Sequence, residues 1–134
     1  MNLGFFVDEF DKAINLDMNK IYHLSTCDTC KRILKELQPL DGFVLQDIKT
    51  EDITASQLSE MYKLSGSYEA LFSKRARLYK EKGLASKELS EADCKELILE
   101  HYTFLKRPVI VVNDSIFIGN SKKIIAAAKE KIHA

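Results

Sequence analysis

The chain has 134 residues, of which 46% are hydrophobic, so it is long enough to build one domain around a core of its own. Its 20 basic and 20 acidic residues cancel, which argues against the strongly basic surface that binds nucleic acid regardless of sequence. Three cysteines in a chain rich in lysine and glutamate do not form the framework of a disulfide-stapled secreted protein, and we expect a cytoplasmic protein. No apolar run approaches the ~20 residues that a membrane span requires.

Residues 1–17 are a candidate N-terminal extension to a domain that covers residues 18–134. The extension does not match a signal peptide, because it lacks an early lysine or arginine and Asp8 and Glu9 interrupt its apolar stretch. Apolar residues at helical spacing predict a short amphipathic helix, and these are Phe6, Phe10, Ala13 and Ile14. A docked helix and a peripheral extension of little consequence are both open interpretations.

The first half of the domain has the pattern of a βαβ unit. Residues 20–25 are predicted to form a strand, and residues 28–38 a helix that ends before Pro39 and Asp41-Gly42. Residues 43–48 then predict a second strand, which completes the unit.

A helical block follows the second predicted strand. Thr54 begins a capping box that opens a helix, and Ser65-Gly66-Ser67 ends it. A basic stretch occupies residues 73–80. Ser90 begins a second box-like cap, and the apolar stripe of the helix that it opens is Cys94, Leu97, Ile98 and Tyr102.

The last part of the chain has the pattern ββα. The β-branched run over residues 109–112 predicts a strand, and Asn113-Asp114 turns the chain into a hairpin partner at residues 116–118. Ser121 can cap a final helix. The order βαβ, helical block, ββα matches the thioredoxin topology, so we expect an α/β fold with a mixed four-stranded sheet and a helical insertion at about residues 53–104.

Cys27 and Cys30 are the leading candidates for chemistry. A C-x-x-C motif beside a βαβ pattern is typical of redox-active thiols. The start of a helix offers unpaired N–H groups and a partial positive charge, which favour the thiolate form of Cys27. A zinc ribbon or an inert structural pair would also contain this motif. Structural zinc requires four ligands, however, and the remaining cysteine, Cys94, lies on an apolar stripe, so no metal site is expected.

A proline and three arginines are further candidates. Pro108 opens the predicted third strand, either as an ordinary strand-initiating proline or with a cis peptide bond opposite the active-site helix. Arg107, Arg75 and Arg77 could bind an anion, because the guanidinium fork matches an oxyanion and stays charged. For Arg75 and Arg77 a solvated surface is the simpler interpretation.

Histidines and the third cysteine complete the set. A protonated His23, four residues before Cys27, would lower the pKa of the thiol, although a packed strand histidine is the simpler interpretation. His101 and His133 are expected to be peripheral. Cys94 is expected to be a small buried hydrophobe, with a second resolving thiol as the alternative.

The chain from about residue 18 to residue 131 resembles the ArsC/Spx family, the arsenate-reductase-like branch of the thioredoxin folds. The matching features are the tripeptide at residues 21–23, Cys27 and Thr29, the segment at residues 71–79, the run at residues 106–111, and Gly119. Together these features are far more specific than C-x-x-C alone. The resemblance implies a thioredoxin-like sheet with a helical insertion and a nucleophilic cysteine at Cys27.

The resemblance also implies roles for individual residues and a reaction. His23 would tune the thiol of Cys27, and Arg107 would contact the oxyanion. Beyond the resemblance, Cys30 is a candidate resolving thiol, and Arg75, Pro108 and Thr29 are further candidate substrate contacts. In the reductases the cysteine attacks arsenate, glutathione adds to the adduct, and glutaredoxin resolves the mixed disulfide. We therefore expect no bound cofactor, a small oxyanion or a glutathione mixed disulfide as substrate, and glutathione with glutaredoxin or thioredoxin as reductant.

Three departures leave a second function open. The reductases have a serine at the position of Cys30 and an arginine at that of Ser73, and a further reductase arginine has no counterpart near Gly119-Asn120. The Spx-type regulators have C-x-x-C as here, bind a subunit of RNA polymerase, and use the cysteine pair as a disulfide switch. A redox-sensing regulator of this type is the alternative to an enzyme.

Overall fold

The structure, a computed structural model, describes residues 19–134, so the predicted N-terminal extension lies outside the described residues. Four strands, β1 (Asn19–His23), β2 (Phe43–Asp47), β3 (Val109–Val112) and β4 (Ser115–Ile118), form one sheet in the order β2-β1-β3-β4. β1 is parallel to β2, and β3 is antiparallel to both β1 and β4. This is the mixed four-stranded sheet that the sequence predicts.

Six helices accompany the sheet in this part of the chain. They are α1 (Asp28–Leu37), α2 (Ala55–Ser65), α3 (Tyr68–Leu71), α4 (Arg77–Glu81), α5 (Glu91–Glu100) and α6 (Lys122–Ile132). Single 3₁₀ turns occupy Leu84–Ser86 and Tyr102–Phe104. The predicted capping boxes at Thr54 and Ser90 are both present, and the Ser121 hydroxyl caps α6. Each such cap satisfies backbone N–H groups and is worth about 1 kcal/mol.

The sheet separates two hydrophobic clusters, because alternate strand residues point to opposite faces. One face packs against α1 and α6, and its buried residues are Ile21, Ile33, Leu37, Ile110, Val112, Ile125 and Ala128. The other packs against the helical block, and its largest buried residues are Phe72, Phe104, Leu58, Met61, Leu71, Ile98 and Leu105. The insertion at about residues 53–104 therefore shares a core with the sheet.

Two boundaries differ from the sequence-based expectation by more than one residue. The first strand ends at His23 rather than at residue 25, because the chain turns there and the N–H of Cys27 donates to the carbonyl of Leu24 at 3.0 Å. The prediction that Tyr102 lies on the helix opened by Ser90 is wrong. α5 ends at Glu100, since His101 is extended and its side chain caps the following 3₁₀ turn.

A short backbone pairing closes the helical block and positions the site. The N–H of Ser73 donates to the carbonyl of Phe104 at 2.7 Å, and the N–H of Lys106 donates to the carbonyl of Leu71 at 2.8 Å. These bonds flank a bridge between Phe72 and Leu105. The basic segment that begins at Ser73 consequently lies beside the segment that leads into β3.

Candidate active site

Cys27 occupies the N-cap position of α1. Its backbone is extended, with φ −96° and ψ 116°, and its side chain does not cap the helix. Its carbonyl accepts the N–H of Lys31 at 3.1 Å, which begins the helical hydrogen-bond pattern. The thiol is partly exposed and lies where the first N–H groups of the helix have no intrahelical acceptor. This is the position that the C-x-x-C motif predicts.

The surroundings of Cys27 favour its thiolate. Partial burial raises the pKa of the thiol, but the polar hydrogens near the sulfur, on the backbone and thiol of Cys30 and on the backbone of Thr29, lower it. The positive charge of Arg107 lowers it further, and the net pKa lies below the ordinary value for a cysteine. Because the thiolate is the nucleophilic form of cysteine, these surroundings suit Cys27 to nucleophilic attack.

Cys30 has the opposite character. It is 1% exposed, and both cysteines are free thiols. Burial is the main cause that raises the pKa of Cys30 to about 11, and the negative charge of the neighbouring Cys27 thiolate raises it as well. Hydrogen bonding from the backbone of Leu24 acts in the opposite direction. The surroundings therefore favour ionisation of Cys27 before Cys30.

Arg107 is the basic group whose charge lowers the pKa of Cys27. Its Nη1 donates to the carbonyls of Thr103 and Leu105, both at the long distance of 3.4 Å. Its Nε is buried and has no hydrogen-bond partner. A buried donor without an acceptor costs about 1–3 kcal/mol, more when it is charged, so an anion that accepted from Nε would remove that cost.

Cys27 opens into a cleft of about 540 Å³ whose lining is mainly basic. Four cations, Lys74, Arg75, Lys106 and Arg107, and one carboxylate, Glu69, contribute to it. Ser73 and Gly119-Asn120 also line the cleft. These are the places at which the family resemblance would put two further arginines, so the cleft has fewer guanidinium groups than the resemblance implies.

The other predicted site residues, Thr29, Pro108 and His23, do not line this cleft. The backbone N–H of Thr29 helps to lower the pKa of Cys27. Pro108 is buried, and the peptide bond between Arg107 and Pro108 is cis. His23 ends β1 opposite Asp47 of β2. Burial lowers the pKa of His23 more than the Asp47 carboxylate raises it, so the imidazole is neutral near neutral pH. A charged His23 is therefore not the source of the low pKa of Cys27, and a tuning role of another kind stays a prediction.

Sequence reasoning missed Lys74, Lys106 and Glu69 as cleft residues and gave Asp47 no role. The sequence identified Lys74 only as part of a basic stretch. Lys106 and Glu69 reach the cleft because the segments around Phe72 and Leu105 pair with each other. The signal that could have found Asp47 is its place at the carboxyl end of a strand parallel to the one before Cys27. Functional side chains collect at such ends in α/β sheets.

The remaining candidates lie away from Cys27. Arg77 is exposed on α4, and Cys94 is buried in the helical block, where burial raises the pKa of its thiol. Within residues 19–134, no three His, Cys, Asp or Glu side chains are grouped so that they could hold a metal ion. Over the same residues, no helix is long and apolar enough to cross a bilayer.

A family model described as the ArsC family matches residues 22–128. The chain belongs to the ArsC family. Its family membership and the sheet topology confirm the predicted thioredoxin-like α/β fold, and at the level of the family they support a thiol-oxidoreductase-like function.

Solved structures place this ArsC-family chain among similar folds. An arsenate reductase from Vibrio cholerae has 24% identity and a TM-score of 0.64, over 84% of this chain and 96% of the other. An arsenate reductase (ArsC) related protein from Brucella melitensis has 25% identity and a TM-score of 0.61, over 82% and 92%. A protein from Staphylococcus aureus has 26% identity and a TM-score of 0.67, over 82% and 97%. No curated protein shows significant sequence similarity to the chain.

Proposed function

We propose that this protein is a thiol oxidoreductase of the arsenate-reductase type, in which Cys27 attacks an oxyanion or a disulfide. One observation carries the proposal: the low-pKa thiol of Cys27 opens into a cleft with four cations, and Arg107 among them has a buried Nε without an acceptor. A nucleophile next to an unsatisfied cation suits a substrate that is attacked while it carries negative charge.

With arsenate, the Cys27 thiolate forms a bond to arsenic and one arsenate oxygen leaves as water after protonation. Arg107 offsets the negative charge on the remaining oxygens. A glutathione thiolate then attacks the Cys27 sulfur, the S–As bond breaks, and its electron pair stays on arsenic, which leaves as arsenite. The two thiols have supplied two electrons and form a mixed disulfide, which glutaredoxin or thioredoxin reduces by thiol exchange.

With a glutathione mixed disulfide, the Cys27 thiolate attacks the glutathione sulfur, the S–S bond breaks, and the other sulfur leaves as a thiolate. The protein then holds the same Cys27–glutathione disulfide, and the same reductants regenerate it. Both substrates are anionic, and the basic cleft suits both. The cleft contains fewer arginines than the family resemblance implies for a reductase, so the disulfide substrate is tested beside arsenate.

The test is NADPH consumption in a coupled assay with glutathione, glutathione reductase and glutaredoxin, with either arsenate or a glutathione mixed disulfide as substrate. We expect turnover in the native protein and a loss of at least about a hundredfold in Cys27→Ser, because a hydroxyl does not ionise near neutral pH. Cys94→Ala is the matched control, since that thiol lies in the helical block. The assay is repeated with thioredoxin as the reductant. If neither substrate is turned over with either reductant, the proposal is contradicted.

One observation favours the redox-sensing regulator as a second candidate. Cys27 and Cys30 are free thiols in the first turn of α1, close enough for Cys30 to shift the pKa of Cys27, and Ser73 lines the cleft in place of an arginine. A regulator of this kind would bind RNA polymerase differently in its reduced and oxidised forms. Affinity capture of polymerase by both forms, with Cys30→Ser as control, tests it; equal absence of polymerase from both removes this candidate.

A further inference from the structure

Asp47, at the carboxyl end of β2, holds the loop between β1 and α1. Its Oδ1 accepts the N–H of Ser25 at 3.1 Å, and its Oδ2 accepts the hydroxyl of Ser25 at 2.6 Å. The same carboxylate accepts the N–H of Lys49 at 3.2 Å and the hydroxyl of Thr50 at 3.3 Å. All four donors therefore converge on one charged group that bridges two loops of the molecule.

Ser25 lies inside the turn that presents Cys27. The turn closes where the N–H of Cys27 donates to the carbonyl of Leu24 at 3.0 Å, and Ser25 and Thr26 form its tip. Both tip residues are exposed, so packing does not hold them. The Asp47 carboxylate is consequently the group that fixes this side of the turn.

We propose that Asp47 is a positioning residue for Cys27, holding Ser25 so that the turn presents the Cys27 sulfur to the N–H groups at the start of α1. The inference rests on the proposed function, in which Cys27 is the nucleophile. The effect of the Thr29 and Cys30 N–H groups on the Cys27 sulfur depends on distance and angle, so a small displacement of the turn would weaken it. A charged acceptor gives Ser25 stronger bonds than a neutral one would.

The direction in which the pKa of Cys27 changes when Asp47 is removed distinguishes a positioning role from an effect of charge alone. Without the carboxylate, the freed turn would misalign the donors and raise the pKa of Cys27. Removal of a nearby negative charge, acting alone, would instead stabilise the thiolate and lower that pKa. A merely structural role would reduce the stability of the fold and leave the pKa of Cys27 where it is.

The experiment measures the alkylation rate of Cys27 by iodoacetamide against pH in the full chain, with labelling located by mass spectrometry. In Asp47→Ala we expect the rate below the pKa to fall by about three- to tenfold, since a pKa rise of about half a unit to one unit reduces the thiolate fraction by that factor. Asp47→Asn is expected to recover part of the rate, because its amide oxygen can still accept the N–H of Ser25.

Asp93→Ala is the matched control, because that exposed carboxylate accepts the N–H of a serine, Ser90, at 2.9 Å at the start of α5. It should leave the alkylation profile unchanged. An unchanged or lowered Cys27 pKa in Asp47→Ala, or an equal rise in Asp93→Ala, overturns the inference alone. A native Cys27 that titrates like an ordinary thiol overturns the proposed function as well, so the two failures are distinct.

Discussion

Cys27 and Cys30 occupy one turn of helix with opposite preferences for the proton. The Cys30 thiol helps to lower the pKa of Cys27, while burial keeps Cys30 itself protonated, with a pKa of about 11. In the reduced protein Cys30 would then act on Cys27 as a proton donor rather than as a second nucleophile. It becomes a nucleophile only after it loses its proton, and burial, the largest cause of its raised pKa, persists when Cys27 is in a mixed disulfide.

The pair Cys30→Ser and Cys30→Ala tests the donor role. A serine hydroxyl can still donate to the Cys27 sulfur, so we expect its variant to keep the low Cys27 pKa. Alanine removes the donor, and the pKa of Cys27 should rise, with slower alkylation near pH 7. Equal pKa values for Cys27 in both variants would show that the backbone donors and Arg107 suffice without the thiol.

Arg107 supplies both charge and geometry at the cleft. We expect Arg107→Ala to raise the pKa of Cys27 and to reduce kcat/KM for an anionic substrate by about a hundredfold, as loss of one oxyanion donor does elsewhere. Arg107→Lys should keep the low pKa, because it keeps the charge, but lose most of the turnover, because the fork is gone. Arg77→Ala is the control from the exposed surface. Full turnover in Arg107→Lys would contradict a geometric role.

The helical block depends on contacts between its helices, and one of them supports the wall of the cleft. Glu91, at the start of α5, accepts the N–H of Tyr68 at 2.7 Å and that of Glu69 at 2.9 Å, and the hydroxyl of Ser67 at 3.2 Å. The backbone bonds are the main reason that the pKa of Glu91 lies below its ordinary value. One exposed carboxylate thus joins α5 to α3, which carries Glu69 to the cleft.

The lowered pKa of Glu91 sets the pH range in which this contact stabilises the fold. Its contribution is present above the ordinary carboxyl pKa and is lost as pH falls through the lower folded-state value. We expect Glu91→Gln to reduce the free energy of unfolding at pH 7, with a difference from the native protein that shrinks as pH falls below about 4.5. Urea unfolding at several pH values measures this. Glu96→Gln, on the same helix, is the control, and an equal loss in both variants at pH 7 would contradict the assignment.

Across the whole molecule, local signals predicted more than contacts between distant segments. The capping boxes at Thr54 and Ser90, the β-branched run of β3 and the place of Cys27 all depend on neighbouring residues, and each is found as predicted. The contact from Asp47 to Ser25 spans 22 residues and leaves no periodic trace in the sequence.

The cleft shows the same limit. Lys106 and Glu69 reach it because backbone bonds join the segments around Phe72 and Leu105, which are more than thirty residues apart in the chain. Neighbouring residues were enough to select Cys27 and Arg107 as candidates, through the C-x-x-C motif and the position before Pro108. The rest of the charge around them depends on how the insertion folds back on the sheet, which the sequence pattern does not encode locally.

The molecule has no net charge but has a basic cleft, so the reaction of Cys27 with anionic reagents should depend on salt concentration. The formal net charge is zero, whereas the cleft around Cys27 has four cations and one carboxylate, so attraction should be local to the site. We expect the ratio of Cys27 alkylation rates for iodoacetate, an anion, over iodoacetamide, a neutral reagent, to fall as salt rises from about 0.01 M to about 1 M, where the Debye length shrinks from about 30 Å to about 3 Å. Lys106→Ala should lower the ratio at low salt, and Lys129→Ala, on the exposed surface of α6, should not. The ratio does not depend on the thiolate fraction of Cys27, because both reagents attack the same thiolate. A ratio that does not change with salt would mean that the cleft cations do not attract the anionic reagent. The electrostatic argument for an anionic substrate would then fail.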